Sequence, residues 1–552
     1  MKNILFIILL FTCTLTFAQK GNLIKKLDSI TTLIENSVGV KPGTSIIITQ
    51  DQKTLYSASN GLSNIELDTK NNVHTMYDLA SIAKMFTGYT IATLEANGKL
   101  SMDDNIQKYL TDFPSYDHDI TIGHLVHHTS GIKNWTYLIY QMGWSDEDKI
   151  STDQLLRAIY AQKTLDFVPG ERYQYCNSGY VLLTKIIEEV TGQSFVDWTH
   201  QNIFKPLMMD NTFFNSNQNK VIEGMASAYN IDSEGNSIKK IYNTSALGSS
   251  SLISNAVDMA KWMNFLLNPP TDKKEIIDIM FSTSALNDGS KNTYAYGIDI
   301  DHYNGVKLIG HDGSWASFTS SMTILPEHNM GIFFANNYRI NTRGILEWYL
   351  DTLFPKEKKI TEDAKPSTAE ETVQVPTEML QAYTGTYKLG DAWYLDITLK
   401  DNDLYTRANG ENTFYMKPVN DSTFLVRNYG NRTITFNKNT KGDIHQLTYN
   451  NIEAKRKTDS FYFNEEEFKK FEGIYYSTEL GLLYSIIVDK DKMYYTNIKT
   501  GTYELIYENE KLMFSDGNLS KITFDYDDKG DVVGLHKINS RGKQLFYFHR
   551  AN

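Results

Sequence analysis

The chain has 552 residues, with 54 Lys and Arg against 66 Asp and Glu, for a formal charge of −12. That balance, with no long basic run, excludes a nucleic-acid binder, which needs a cationic face to displace counterions from phosphates. A composition of 41% hydrophobic and 22% charged residues suits a soluble globular protein, and the length predicts two or three domains because single cores stop growing near about 250–300 residues.

At the N-terminus, Lys2 precedes an apolar run from Ile4 to Phe11, and Thr16-Phe17-Ala18 places small residues where signal peptidase reads before Gln19. The run is shorter than the roughly 20 residues a spanning helix needs. Residues 1–18 are therefore expected to be a cleaved signal peptide, leaving no transmembrane segment and an exported protein, periplasmic or secreted. Phe11 and Thr12 fit lipoprotein processing at Cys13 poorly. Loss of Cys13 leaves Cys176 alone, so no intrachain disulfide is expected.

Ser45–Thr49 and Thr54–Ser59 read as strands around the turn Gln50–Lys53. From Ser81 onward, Ile82, Met85, Phe86, Tyr89 and Leu94 recur at helical spacing up to the stop at Asn97-Gly98, and a second helix over Gly179–Val190 ends at Thr191-Gly192. Strand patterns return at Tyr296–Ile300, Lys307–Ile309, Ser320–Leu325 and Gly331–Ala335. Strands at both ends with helices between predict an α/β domain over residues 21–355 whose sheet joins distant parts of the chain. Residues 356–378, rich in Lys, Glu, Thr and Pro, read as an interdomain linker.

Beyond it lies a repeat. Tyr383-Thr384-Gly385-Thr386-Tyr387 matches Phe471-Glu472-Gly473-Ile474-Tyr475, Ile434-Thr435-Phe436 matches Ile522-Thr523-Phe524, and Lys441-Gly442-Asp443 matches Lys529-Gly530-Asp531, each pair 88 residues apart (473 − 385, 522 − 434, 529 − 441). Two copies of one antiparallel module follow, over 379–460 and 461–552. Each is expected to close into a small β-barrel, which removes exposed edges, with fusion of the two copies into one larger barrel as the alternative.

Three short patterns carry candidate chemistry. Ser81-Ile82-Ala83-Lys84 puts a hydroxyl and an amine on one face of a helix start, where a neighbour can take the proton that serine must lose to become a nucleophile. Tyr175-Cys176-Asn177 points a phenol and an amide the same way if the segment is extended. Gly310-His311-Asp312-Gly313-Ser314-Trp315 lies between strand signals, where glycines allow close backbone approach; the N–H of Ser314 and that of Ser81 could together form an oxyanion hole. None is diagnostic alone: Ser237-Ile238-Lys239-Lys240 and Tyr449-Asn450-Asn451 fit the first two patterns equally well.

In this order, Ser81-x-x-Lys84, Tyr175-x-Asn177 and His311-x-Gly313 resemble the three motifs of the penicillin-recognising serine hydrolases: class C β-lactamases, D,D-peptidases, D-aminopeptidases and related esterases. The segments Gly98–Asp104, Thr121–Gly131, Pro206–Met209 and Ser254–Met259 are similar to family text too, so the resemblance covers roughly Lys41 to Asn337. It implies a β-lactamase/transpeptidase-like α/β sandwich with a helical subdomain and the active site between them, followed here by lipocalin-like antiparallel β-barrel modules. It further implies that Ser81 is acylated, that Lys84 and Tyr175 share its proton transfer, and that Asn177 binds the substrate amide, with His311, Gly313 and Ser314 lining the substrate and oxyanion side. A nearby ammonium would lower the pKa of Tyr175. Which of Lys84 and Tyr175 takes the first proton is left open.

Departures from the family pattern direct the substrate reading. His311 stands where β-lactamases commonly carry Lys, Asp312 would repel a substrate carboxylate if it faced the cleft, and Cys176 reads as a small packed residue. The expected activity is an acyl-enzyme hydrolase of an amide or ester, with a D-amino-acid-containing peptide as the expected substrate, in the manner of a D-aminopeptidase or D,D-carboxypeptidase. An esterase or β-lactamase of the same fold, or a non-catalytic penicillin-binding sensor, are the alternatives. The small substrate is the only partner implied, with no cofactor. His124, His127 and His128 cluster but lack a nearby carboxylate or thiol to complete a metal site, and the absence of Gly-x-Ser-x-Gly excludes an α/β-hydrolase.

Overall fold

A computed structural model of the chain describes residues 21–34, 43–145, 147–231, 236–355, 373–409, 413–426, 432–499, 501–509, 512–515, 521–538 and 544–551. The expected signal peptide and residues 356–372 of the expected linker lie outside the described residues. The chain divides into two compact units, residues 1–358 and 359–552.

The first unit is built on a six-stranded antiparallel sheet. Its strands are β1 (Thr44–Gln50), β2 (Lys53–Asn60), β3 (Asp299–Tyr303), β4 (Val306–Trp315), β5 (Phe318–Leu325) and β6 (Met330–Asn336), in the spatial order β3-β4-β5-β6-β1-β2. The apolar run of β1 reflects burial on both faces. On one face, helix α1 (residues 21–34) inserts Leu27, Ile30 and Ile34 against Ile46, Ile48, Ile332 and Phe334. Each such buried aliphatic contributes roughly 1.5–3 kcal/mol. A polar clasp reinforces that layer, for Thr31 Oγ1 lies 2.9 Å from the hydroxyls of both Tyr56 and Tyr349. The helices between β2 and β3 include α2 (Ala83–Ala96), α3 (Asn177–Thr191) and α4 (Ala256–Leu267); α4 packs on the sheet against β1 and β6. Helix α5 (Thr342–Leu353) brings Tyr349 to the α1 layer.

Two strands depart from expectation. The pattern at Tyr296–Ile300 is strand only from Asp299, because Ala295-Tyr296-Gly297 turns with Gly297 at φ +78. A Cβ on Gly297 would sit 2.1 Å from the carbonyl oxygen of Lys84, so the turn is pressed against α2. The pattern at Lys307–Ile309 is the beginning of a ten-residue strand that goes on to carry the whole Gly310–Trp315 segment.

The second unit contains two separate closed barrels, each of eight antiparallel strands among the described residues, which resolves the alternative of one fused barrel. The first runs from Gly385–Gly390 to Ile452–Arg456 and the second from Gly473–Ser477 to Gln544–Arg550. Thr377 and Glu378, expected in the linker, begin the helix Thr377–Tyr383 ahead of the first barrel. The repeated glycine has a structural cause. Gly385 and Gly473 adopt φ +143 and +154, and a Cβ on either would lie 2.9–3.0 Å from Nε of Arg456 or Arg550, the arginines that close each barrel against its first strand. Tyr394 of the first barrel stacks on Phe514 of the second at 5.5 Å.

Candidate active site

Ser81 sits in a single 3-10 turn, Ala80–Ile82, that runs directly into α2. The turn is held from below: the buried carboxyl of Asp78 accepts the Ala80 N–H at 2.6 Å, and Ala80 adopts φ +47, a strained conformation for a residue with a Cβ. One turn on, Lys84 is fully buried, with Nζ 3.2 Å from Ser81 Oγ, 2.8 Å from Asn177 Oδ1 and 2.6 Å from the Ser249 carbonyl oxygen. It also lies over the rings of Tyr175 and Tyr180, 4.9 and 5.6 Å from their centroids. Burial pushes the Lys84 amine well below its ordinary value, favouring the neutral form.

Tyr175 and Asn177 reach the same place across an extended Cys176, at φ −140 and ψ 107, although the segment belongs to no sheet. Asn177 is the first residue of α3, and Tyr175 precedes it in a loop anchored by the Cys176 N–H donating to His128 Nδ1 at 3.2 Å. Asn134 Oδ1 accepts from both the backbone N–H and the side-chain amide of Asn177 (3.3 and 3.4 Å), which leaves Asn177 Oδ1 for Lys84. Burial drives the Tyr175 phenol well above its ordinary value of 10, and hydrogen bonding with Ser81 opposes this only in part. The expected downward shift is therefore reversed: in this dry setting the penalty on a phenolate outweighs the pull of an amine that is itself disfavoured as a cation.

The third motif lies within β4. Pairing with β3 ends at Gly310, so His311–Trp315 has β5 on one side and no strand on the other among the described residues. Alternation directs His311 and Gly313 inward and Asp312 outward, where its carboxylate accepts from the Thr342 hydroxyl at 2.8 Å. The repulsion expected from Asp312 is thus turned away from Ser81. His311 places Nε2 2.9 Å from the Tyr294 hydroxyl and Nδ1 2.5 Å from the Asp312 carbonyl oxygen. Burial, aided by Lys84, lowers its pKa to about 3, so the imidazole is neutral. A Cβ on Gly313 would meet Leu79 O at 2.2 Å and Ser320 Oγ at 2.4 Å, so the strand lies directly against the turn carrying Ser81. Ser314, exposed, enters the site through its place beside Gly313.

Ser81, Lys84, Tyr175 and Asn177 are thereby in direct contact, with His311 adjoining through its ring, 5.9 Å from that of Tyr175. Sequence reasoning missed the residues that hold them. Asn134, Asp78, Ser249, Tyr180 and Tyr294 carry no motif in the sequence; Asn134 also caps the helix Trp135–Gln141. The histidine cluster is structural in its contacts: His124 Nδ1 accepts from Thr121 N–H, His127 Nδ1 is 2.9 Å from Tyr294 O, and the His128 ring packs against Tyr175 and Tyr294, each at 4.4 Å. Cys176 is buried, its thiol donating to Ile132 O at 3.2 Å and pushed up by burial to about 11.

A family model described as Beta-lactamase matches residues 30–353, and one described as a domain of unknown function, DUF3471, matches residues 369–470. Protein flp of Staphylococcus aureus (strain MRSA252) is 28% identical over 344 residues, covering 60% of this chain and 67% of its own. Penicillin-binding protein 4* of Bacillus subtilis (strain 168) is 25% identical over 407 residues, covering 69% and 87%. Among solved structures, the octameric penicillin-binding protein homologue from Pyrococcus abyssi aligns with a TM-score of 0.56 at 22% identity, over 88% of this chain and 99% of that one. The D-amino acid amidase from Ochrobactrum anthropi SV3 aligns with a TM-score of 0.51 at 20% identity, over 61% and 98%. At these identities the two structures speak to the fold alone.

Proposed function

Because the chain belongs to the beta-lactamase family, we propose that residues 21–355 form a serine hydrolase that cleaves an amide or ester through an acyl-enzyme at Ser81, acting on D-aminoacyl substrates in the manner of a D-aminopeptidase or amidase. The observation that carries this reading is the seating of Lys84 Nζ. Two firm acceptors, Asn177 Oδ1 and Ser249 O, account for the two N–H bonds of a neutral amine, and its lone pair is left for the Ser81 hydroxyl. Lys84 then takes the first proton as Ser81 Oγ attacks the substrate carbonyl. The tetrahedral oxyanion lies between the N–H groups of Ser81 and Ser314. The hydroxyl of Tyr175, protonated throughout, passes the proton to the departing amine or alkoxide. Water then attacks the acyl-enzyme, returning the Ser81 hydroxyl and releasing the acid.

Substrate choice follows from the third motif. The side of β4 beyond Gly310 that no strand covers among the described residues offers backbone groups to an extended substrate, while neutral His311 supplies no cation for a free carboxylate. This favours amide and ester substrates over C-terminal D,D-carboxypeptidase action. The fold shared with a D-amino acid amidase is compatible with the D-amino-acid class and does not by itself assign it. Processing near Ala18 and export belong to the same proposal.

The test is a substrate panel of D- and L-aminoacyl amides, D-Ala-D-Ala peptides, short esters and a chromogenic cephalosporin, with intact-mass detection of the acyl-enzyme. Turnover of D-aminoacyl amides, and a mass increment lost in Ser81→Ala, is the expected result. Full activity of Ser81→Ala would overturn the mechanism, and preferential cleavage of D-Ala-D-Ala peptides would overturn the substrate assignment.

A further inference from the structure

The two barrels fill equivalent interior positions differently. Matched through strand register, Leu395, Thr406, Tyr449 and Ala454 of the first correspond to Tyr484, Tyr495, Lys537 and Phe548 of the second. In the second barrel these side chains plug the interior. Tyr484 stacks on Tyr495 at 4.2 Å, Phe548 packs edge-on to Tyr484 at 5.3 Å, and Lys537 Nζ lies 4.5 Å from the Tyr484 ring centroid. In the first barrel, Leu for Tyr, Thr for Tyr and Ala for Phe remove that plug. A cavity of about 130 Å³ remains, lined by Trp393, Leu395, Thr406, Phe414, Arg432 and Tyr449 among others.

Three features distinguish this cavity from a packing fault. An apolar cavity of about 150 Å³ accepts a benzene ring, so the volume suits one ring or a short branched chain. Thr406 is 4% exposed and its hydroxyl has no hydrogen-bond partner, an uncommon state for a buried polar group, and it lines the cavity. Arg432 is exposed at the rim, its guanidinium 3.4 Å from the Tyr449 hydroxyl, so a cation stands where an apolar ligand would emerge.

We propose that the first barrel binds a small apolar carboxylate, its ring or branched chain in the cavity and its acid group on Arg432. Guanidinium matches carboxylate geometry with two parallel hydrogen bonds, which selects an acid over an uncharged isostere. The second barrel, with Lys537 and three aromatic rings in the equivalent space, cannot take such a ligand.

Calorimetric titration and saturation-transfer NMR of the full chain with 3-phenylpropionate, 4-methylpentanoate and the uncharged 3-phenylpropanol test this. The acids are expected to bind, with the alcohol about tenfold weaker than 3-phenylpropionate. Arg432→Gln, an exposed change, should cut the affinity for the acid about tenfold and leave the alcohol unaffected. Thr406→Tyr and Ala454→Phe, which copy the residues of the second barrel, should abolish binding. The proposal is overturned if neither acid binds up to about 10 mM, a concentration that would detect even millimolar affinity, or if acid and alcohol bind alike. It also fails if binding survives unchanged in Arg432→Gln. That exposed variant decides the matter even should the cavity-filling changes unfold the barrel.

Discussion

Lys84 commits its donors to Asn177 and Ser249, and what remains on the nitrogen faces Ser81. Burial favours the protonated Tyr175 phenol, which suits the role of donor and relay that the proposed mechanism gives it. Tyr175→Phe should therefore lower kcat by about 10²–10⁴ while leaving the thermal midpoint nearly unchanged, as steady-state kinetics and calorimetry would read; unaltered turnover would remove Tyr175 from the mechanism. His311 titrates at about 3 when folded against 6.5 for the free side chain. Between those values the unfolded chain takes up a proton that the native site refuses, so the stability linked to His311 is complete above pH 6.5 and is lost on acidification towards 3. His311→Gln should make the fall of the thermal midpoint between pH 6.5 and 4 shallower than in wild type. Asp78 and Asp299, both raised to about 6 by burial, act with the opposite sign but are common to both proteins and drop out of the difference. At this scale the four contacting side chains were legible because their spacing is itself the signal. The residues behind them were not, because Asn134 and Asp78 act through individual hydrogen bonds that leave no periodic trace in a sequence.

The element that sets the site's precision is β4, seated on the Leu79–Ser81 turn with no room for a methyl group at Gly313. Gly313→Ala should push the strand off that turn and lower kcat about 100-fold, since displacements near 1 Å have that effect on catalytic alignment, while circular dichroism stays native. Wild-type kinetics in this variant would show that the strand is not held there. Helices were the more readable elements, with α2 and α3 announced by apolar spacing and their Gly stops. The strand at Tyr296–Ile300 was displaced because alternation of apolar residues cannot reveal that Gly297 must turn to clear the Lys84 carbonyl. The extended backbone at Cys176 agrees with the spacing of Tyr175 and Asn177, whereas the hydrogen bonds that hold the motif come from His128 and Asn134, remote in sequence.

Across the whole molecule, the repeat was the most legible feature, since the glycine-arginine closure that each barrel needs recurs in both copies. What repetition conceals is divergence inside the barrels, visible only once register pairs Thr406 with Tyr495 and Tyr449 with Lys537. Burial lowers the Lys537 pKa from 10.5 to about 7. The unfolded chain holds that proton up to about 10.5, so stability linked to Lys537 is greatest above 10.5 and is lost as pH falls to 7. Lys537→Met should stabilise the protein at pH 7 by roughly 1–3 kcal/mol and flatten the rise in stability between pH 7 and 10.5, as urea unfolding would measure; a destabilised variant would mean that the amine is an essential structural donor. The sheet of the first unit carries a different consequence. Strand β1 pairs on one side with β6, so Thr44 must wait for Asn336. At roughly 5–20 residues per second, a nascent chain emerging from the ribosome spends tens of seconds with this strand half-paired. Throughout elongation, the serine turn has been synthesised long before the β4 backbone that abuts it, so hydrolytic competence arrives late and all at once.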